Sequence, residues 1–309
     1  MRTNFGFWAA ILGLLASTGC DVEDFAAARY NQDFHYSYPL NTGGRLSIDT
    51  FNGSVDLTGW DQDLVDISGT KYGPSQEAAE NLRVEVANTP GSIEIRVVRA
   101  SDFRGNRGAR FTVRMPRKAV LDHITTSNGP IEVHQGSGPS HLRTSNGRVR
   151  VFDLAGSLDV HTSNGSIELS GIDGDVAART SNGQISARDL EGPLAASTSN
   201  GGIHAILVPR HTNGPVRLET SNSGVDLTLP PNFSSNVRVS TSNGTITLHM
   251  PGPVNAQVNG QTNNASITSD FDVKTQGQLS RNHLDGTIGS GGPLLELKTS
   301  NSPIRLLRM

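Results

Sequence analysis

Apolar and polar residues alternate along most of this chain, in short runs that are separated by a recurring polar phrase. Residues 158–163 alternate in this way, and the alternation resumes at residues 166–170, on the other side of Asn164-Gly165. A period of two predicts short strands with one buried face. Asn-Gly between two such runs predicts a turn, because both residues tolerate positive φ. A second turn is predicted at residues 171–174.

The phrase Thr-Ser-Asn-Gly recurs at a fixed step of 18 residues. It begins at Thr126, Thr144, Thr162, Thr180 and Thr198, and variants of it begin at Thr220, Thr241, Thr262 and Thr299. A constant step of this size is the signature of a repeat architecture, in which each repeat buries its apolar face by stacking on its neighbours. The sequence therefore predicts an all-β protein, a single elongated β-solenoid of about 18–22-residue coils with an irregular N-terminal cap.

Equivalent positions of successive repeats support this prediction. The position of Ile167 holds only aliphatic residues in the other regular repeats, namely Ile131, Val149, Ile185 and Ile203. Stacked strands would place these side chains about 4.8 Å apart. We therefore expect Val149, Ile167 and Ile185 to touch in one unbroken interior row.

The asparagine of each phrase is predicted to stack at the turn. Asparagine side chains in stacked strands hydrogen-bond up and down the axis, and such a ladder pairs polar groups that lie near a core. The predicted ladder contains Asn128, Asn146, Asn164, Asn182, Asn200, Asn222 and Asn243. An exposed threonine array that binds ice is the alternative, and it is disfavoured because the alternation does not place two threonine columns on one exposed face.

Residues 1–20 resemble a bacterial lipoprotein-type signal peptide. Arg2 precedes an apolar run at 5–16, which is shorter than the about 20 residues that a membrane-spanning helix needs. Small residues then lead to Cys20, the only cysteine in the chain, although Ser17 stands where the lipobox usually has leucine. This pattern predicts a lipid anchor at Cys20 and a membrane-anchored lipoprotein of the bacterial cell envelope, facing the periplasm or the cell surface. A cleaved secretory signal and an unlipidated thiol are the alternatives.

The rest of the chain divides into a tether and the solenoid. Residues 21–33 are predicted to be the tether, and residues 34–309 the solenoid. Within the solenoid, we expect an irregular cap and early coils at 34–118, regular repeats at 119–209, and longer coils with the C-terminal closure at 210–309.

Charge and motifs exclude some classes of partner. The formal net charge is −3 and no basic stripe is visible, whereas nucleic-acid binding needs clustered lysine and arginine. The sequence has no Gly-Lys phosphate loop and no nucleophile elbow. We therefore expect no nucleic-acid partner and no cofactor.

One column of titratable residues has the spacing of metal ligands. His123, His141 and Asp159 hold the same position in three successive repeats, where stacking would bring them close enough to share a metal. A solvated polar column is the simpler interpretation, and no metal site is expected. These three residues are therefore only weak candidates.

Carboxylates raise the question of catalysis. Asp173 stands one coil from Glu191, and Asp153 stands two coils from Asp189, with Gly171 between them. Parallel β-helices that cleave polysaccharides would cluster such acids on one outer face. Because the acids here stand singly, we expect no enzyme and no catalytic residue.

With these residues laid out, the chain resembles the bacterial putative-adhesin family, a domain-of-unknown-function family of β-strand-repeat proteins. The resemblance rests on Phe51 to Val55, on the Thr-Ser-Asn-Gly series and on residues 295–304, and it covers roughly residues 35–309. It implies an exported or envelope-attached solenoid with no catalytic residues to carry over. It also implies a link with envelope-stress regulation for some members.

Three functional hypotheses follow. The first is a non-catalytic envelope protein that presents its repetitive surface for glycan or protein binding. The second is a carbohydrate-active enzyme, which would need two or three acids in a cleft lined by the long loops near Pro209, Pro230 and Pro251. The third is a passive periplasmic scaffold.

Overall fold

The computed structural model describes residues 30–99, 105–208, 214–275 and 280–309. These residues form 27 strands and one short helix, so the predicted all-β solenoid is confirmed. The predicted signal peptide, Cys20 and Pro209 lie outside the described residues. The first strand begins at Tyr30, inside the predicted tether, because residues 30–33 already pair with a neighbouring strand.

The N-terminal part contains seven strands and the helix. They are β1 (Tyr30–Pro39), β2 (Arg45–Asp49), β3 (Val55–Trp60), β4 (Leu64–Gly73), α1 (Gln76–Glu80), β5 (Leu82–Thr89), β6 (Ser92–Arg99) and β7 (Gly108–Pro116). Ser75 caps α1, since its side chain accepts a hydrogen bond from the backbone N–H of Ala78.

The regular part alternates longer and shorter strands. They are β8 (Val120–Thr125), β9 (Ile131–Ser137), β10 (Ser140–Arg143), β11 (Val149–Ala155), β12 (Leu158–His161), β13 (Ile167–Asp173), β14 (Val176–Arg179), β15 (Ile185–Glu191), β16 (Leu194–Ser197) and β17 (Ile203–Leu207). Each Thr-Ser-Asn-Gly turn joins a strand of one face of the solenoid to a strand of the opposite face. We call such a pair of strands a rung, the strand before the turn the first face, and the strand after it the second face.

The C-terminal part begins with regular rungs and ends with a closure. Its strands are β18 (Val216–Glu219), β19 (Val225–Thr228), β20 (Val237–Ser240), β21 (Ile246–Met250), β22 (Ala256–Gln261), β23 (Ile267–Ser269), β24 (Val273–Thr275), β25 (His283–Ile288), β26 (Leu294–Lys298) and β27 (Ile304–Arg308).

Successive rungs stack in parallel with equivalent residues in register. Val149 pairs with Ile167, and Ile167 pairs with Ile185. All three are at most 1% exposed, so the predicted unbroken interior row is confirmed. The buried residues of both faces join into one continuous apolar cluster from Leu40 to Leu306. This shared core makes the molecule a column of stacked rungs.

The predicted second turn lies later in the coil than expected. Strand β13 continues to Asp173, and the residue at position 171 bends it instead of ending it. Positive φ angles recur at this position in four successive rungs, at Gln135 (61°), Asp153 (56°), Gly171 (69°) and Asp189 (53°). A left-handed residue inside a strand acts as a bulge and redirects the chain. As a result the next side chain, Ile172, points into the core, where it is fully buried.

The order of the rungs in space departs from the order in sequence at both ends. At the N-terminal end, β2 and β3 lie between the rung β6–β7 and the rung β8–β9. At the C-terminal end, the last rung, β26–β27, lies between β20–β21 and β22–β23. At both ends, the order of the rungs in the sequence therefore differs from their order in the column. We refer to β26–β27 as the inserted rung.

Antiparallel strands cover the ends of the column. At the N-terminal end β5 pairs with β6, β4 pairs with β7, and β1 pairs with β4. At the C-terminal end β25 pairs with β22, and β24 pairs with β25. Eleven rungs stack between these caps, which at about 4.8 Å per rung gives a column about 50 Å long.

Candidate functional site

A ladder of asparagine side chains runs along one edge of the column. In each step the Nδ2 of one asparagine donates a hydrogen bond to the Oδ1 of the next, over 2.5–3.0 Å. In spatial order the members are Asn264, Asn301, Asn243, Asn222, Asn200, Asn182, Asn164, Asn146, Asn128 and Asn52. The structure thus brings all seven predicted asparagines together and adds three more. The variant phrases around Asn52, Asn264 and Asn301 were the sequence signals for these three additions.

Buried threonines fix the turns beneath the ladder. The Oγ1 of Thr162 donates to the carbonyl oxygen of Gly147 at 3.0 Å and accepts from the N–H of Gly165 at 3.2 Å. The side chain of Thr162 is fully buried. Thr144 makes the same pair of hydrogen bonds. Because the threonine column is interior, it does not form the exposed array that ice binding would need.

The glycine of each phrase is required for space and not for a positive φ. Gly147, Gly165 and Gly183 have no φ in the left-handed region, so this part of the sequence argument was wrong. A Cβ on Gly165 would overlap the carbonyl oxygen of Gly147, which lies one rung away. The glycines therefore permit the close backbone approach of stacked turns.

Serine and asparagine side chains make this edge an exposed, uncharged ridge. Asn164 is exposed and Ser163 is half-buried, and both residues are exposed in the pairs beginning at Ser127 and Ser145. The rungs repeat these hydroxyl and amide groups at about 4.8 Å intervals. The ridge is therefore a regular row of hydrogen-bonding groups on a rigid support.

Charged residues mark the outward side of the second face. Arg150 lies 3.5 Å from Glu132, and Asp226 lies 3.5 Å from the imidazole nitrogens of both His204 and His249. Burial, with the charge of Glu132 as a smaller cause, raises the pKa of Asp56 at the N-terminal start of this column. Exposed ion pairs of this kind add little stability, so the column mainly sets the charge pattern of the face.

The weak metal candidates do not form a site. His141 and Asp159 do pair across adjacent strands, as the spacing predicted. The carboxylate of Asp159, however, lies 3.3 Å from the guanidinium of Arg179, and the Nε2 of His123 lies 2.9 Å from the hydroxyl of Thr125. Within the described residues, no group of three or more His, Cys, Asp or Glu could hold a metal ion. A shared column therefore does not make the side chains converge on one point.

The acids singled out in the sequence line a shallow depression. Asp173 and Glu191 pair in register, as predicted. Together with Asp153 and Asp189 they border a depression of about 430 Å³ at the strand bends. Its lining includes no residue of the loops that contain Pro230 and Pro251.

Two of the long loops, those with Pro230 and Pro251, border a cavity that we call the C-terminal pocket. It has a volume of about 300 Å³ and is lined by residues from three segments, which lie within 229–234, 250–256 and 291–295. Pro230, Pro251 and Phe233 contribute to its wall. The lining residues include no acidic, basic or histidine side chain. The arrangement of acids that the enzyme hypothesis called for is therefore not found in this pocket.

The helix content is small, and the only described helix is α1. No helix among the described residues is long and apolar enough to cross a membrane.

The sequence matches a family model, and the structure aligns with solved structures. The family model described as Toastrack DUF4097 matches residues 39–250. A crystal structure of a putative adhesin from Bacteroides fragilis aligns with a TM-score of 0.44 and 13% identity, covering 89% of this chain and 97% of that one. A putative cell adhesion protein from Clostridium sporogenes aligns with a TM-score of 0.24 and 10% identity, covering 90% of this chain and 100% of that one. The comparison with curated proteins found no match.

Proposed function

The chain belongs to the Toastrack DUF4097 family, and from that premise we propose that it is a non-catalytic, adhesin-like protein of the cell envelope. It presents the surface of a rigid β-column for binding a glycan or a protein. The membrane anchor is the lipid on Cys20, at the N-terminal end.

The asparagine ladder is the observation that carries this proposal. Ten asparagines lie in a row, nine of them exposed, and each has its amide orientation fixed by its neighbours. A surface whose groups are already ordered loses little entropy when it binds. Repetition also gives a repetitive ligand several equivalent contacts, so weak single contacts add up through multivalency.

The binding function is tested with a glycan array and with envelope protein extracts, using the full-length protein in detergent. We expect saturable binding of a defined glycan or of one protein. Binding of neither would favour the passive scaffold. Turnover of an oligosaccharide, detected as new reducing ends, would favour the carbohydrate-active enzyme and contradict the proposal.

The anchor is tested by replacing Cys20 with alanine. We expect the variant to leave the membrane fraction, because the thioether to the lipid cannot form. The matched control is Ser17→Ala, which keeps the cysteine and should remain in the membrane fraction. Continued membrane fractionation of Cys20→Ala would contradict the lipid anchor.

A further inference from the structure

The C-terminal pocket arises where the regular stacking of connections breaks down. In the regular rungs the chain passes to the next rung through a short turn such as Gly156-Ser157. After β19 and β21 the connections are longer and contain Pro230 and Pro251. Proline has no N–H to donate to the ladder, so these connections leave the stack. The connection into the inserted rung, residues 289–293, passes beside them and completes the wall.

Buried residues of the solenoid core form the floor of the pocket. Leu229, Met250 and Leu295 line it, and each is at most 3% exposed. Phe233 forms part of the wall and packs, half-buried, against this core. The pocket thus offers an apolar surface with an aromatic ring at one side.

The rim of the pocket carries uncharged polar groups. Asn232 and Ser234 are exposed, and their side chains have no hydrogen-bond partner within the described parts of the chain. The Oδ1 of Asn255 accepts the N–H of Ser290 at 2.9 Å, which leaves its amide N–H groups to donate to a ligand. The pocket therefore combines an apolar floor with hydrogen-bonding groups at its mouth.

This combination defines the chemistry of a ligand. An ion would lose hydration without meeting an opposite charge, so the ligand is neutral. A wholly apolar ligand would bury the amide and hydroxyl groups of the rim without partners, which costs free energy. A sugar ring satisfies both parts, because its C–H face can pack on Phe233 while its hydroxyl groups reach the rim. The volume, about 300 Å³, suits one or two rings.

A peptide is a poorer fit to the same place. Peptides commonly bind by adding a strand to an open sheet edge. Beside the pocket, β26 pairs with β20 and β22 on its two sides, and β22 pairs with β26 and β25. Neither strand has an open edge to offer.

We propose that the C-terminal pocket binds a neutral hexose ring of a glycan. The inference rests on the proposed binding function and goes beyond it, because it assigns a site apart from the asparagine ladder and a chemical class of ligand. The pocket lies at the end of the column opposite β1, where the chain emerges from the predicted anchor.

The test measures binding of neutral and acidic oligosaccharides to the full-length protein in detergent by calorimetry. We expect neutral oligosaccharides to bind and sialylated or uronic-acid analogues to bind at least about tenfold more weakly. Phe233→Ala should weaken neutral binding by about tenfold or more, because the ring contact is lost. Ser234→Ala, at an exposed position that cannot disturb folding, should weaken it several-fold.

The matched control is Phe152→Ala, which removes a half-buried phenylalanine from the second face, where it stacks on His134 with ring centres 4.9 Å apart. It should leave sugar binding within about twofold, as expected for a residue far from the pocket. Neutral binding that survives both Phe233→Ala and Ser234→Ala would overturn the site while the adhesin-like function stands. Preference for acidic sugars, or capture of a protein with no glycan bound, would overturn the ligand class. If no oligosaccharide binds here, and no glycan or protein binds in the array and extract experiments above, the proposed function is contradicted as well.

Discussion

At the scale of single residues, each position of the Thr-Ser-Asn-Gly phrase has its own physical task. The threonine is buried and ties two neighbouring turns, as Thr162 does through Gly147 and Gly165. The asparagine continues the external ladder. The glycine leaves room for the backbone of the next turn. The serine faces solvent, which makes it the position freest to change.

The ladder gives the first prediction. Asn164→Ala removes one hydrogen bond to Asn146 and one from Asn182. At about 0.5–1.5 kcal/mol for each bond, we expect a loss of about 1–3 kcal/mol in the free energy of unfolding, measured by denaturant titration. Ser163→Ala is the matched control on the adjacent, half-buried residue outside the ladder and should change stability by less than about 0.5 kcal/mol. Equal effects of the two substitutions would show that the asparagine ladder contributes nothing to the free energy of unfolding.

The glycine column gives the second prediction. Gly165→Ala places a methyl group against the backbone carbonyl of Gly147, which cannot move without shifting a whole rung. We expect a destabilisation of about 3 kcal/mol or more, above the usual cost of overpacking. Gly91→Ala is the control, since a Cβ there meets no atom within 4 Å. Thermal melts followed by circular dichroism measure both, and a stable Gly165→Ala variant would argue against the close stacking of turns.

The sequence predicts much at this scale, because parity and period locate each side chain. Val149 and Ile167 point inward and Asn146 and Asn164 stack, as the alternation requires. It could not predict why the glycine is needed, since Asn-Gly is equally typical of a hairpin turn with positive φ. Nor could it predict that His123 and Asp159 turn to Thr125 and Arg179, because a shared column fixes the Cα positions and leaves the rotamers open.

At the scale of elements, the inserted rung is the least predictable part of the fold. Its phrase at Thr299 has the same local form as those of the neighbouring rungs, so nothing in its residues specifies which rungs it contacts. Only the pairing of β26 with both β20 and β22 reveals the order. The same ambiguity hid the position of β2 between β6 and β8. Local patterns specify a rung, whereas the connections between rungs specify the order.

The third prediction concerns what holds the inserted rung. Glu296 of β26 accepts a hydrogen bond from Lys298 at 2.5 Å and one from Arg238 of β20 at 2.6 Å. These cations, Lys298 first, lower the pKa of Glu296 below its usual value of 4.5. A lowered carboxyl pKa contributes stability above the unfolded value, and this contribution is lost as the pH falls through the folded value.

Glu296→Gln should therefore lower the free energy of unfolding by about 1 kcal/mol at pH 7, and the difference from the parent should shrink as the pH is lowered below 4.5. A series of denaturant titrations from pH 7 downward measures this. Glu219→Gln is the control, because Glu219 pairs with Arg217 of its own strand at an exposed position and joins no rungs. If Glu296→Gln lowered the free energy of unfolding equally at every pH, the packing of the side chain, and not its charge, would hold the inserted rung.

At the scale of the whole molecule, the column is built from interchangeable rungs. Each regular rung contacts chiefly the rungs above and below it, so the length of the column is set by the number of rungs. The caps protect the ends, where open strand edges would otherwise invite aggregation. The two functional proposals concern different parts of the column. The exposed ridge depends on the repeated turns of the rungs, whereas the C-terminal pocket forms where longer connections interrupt the repeat.

The fourth prediction follows from this modularity. Deleting residues 158–175 removes one 18-residue repeat and joins Ser157 to Val176, which takes over the position of Leu158. We expect the protein to fold, with its longest dimension in X-ray solution scattering shortened by about 5 Å, the height of one rung. Deleting residues 159–175 removes one residue fewer and reverses the inward and outward faces where the chain rejoins the stack. That control should melt non-cooperatively or aggregate, because apolar side chains would face water and polar ones the core. Equal stability of the two deletions would mean that register along the column does not determine the fold.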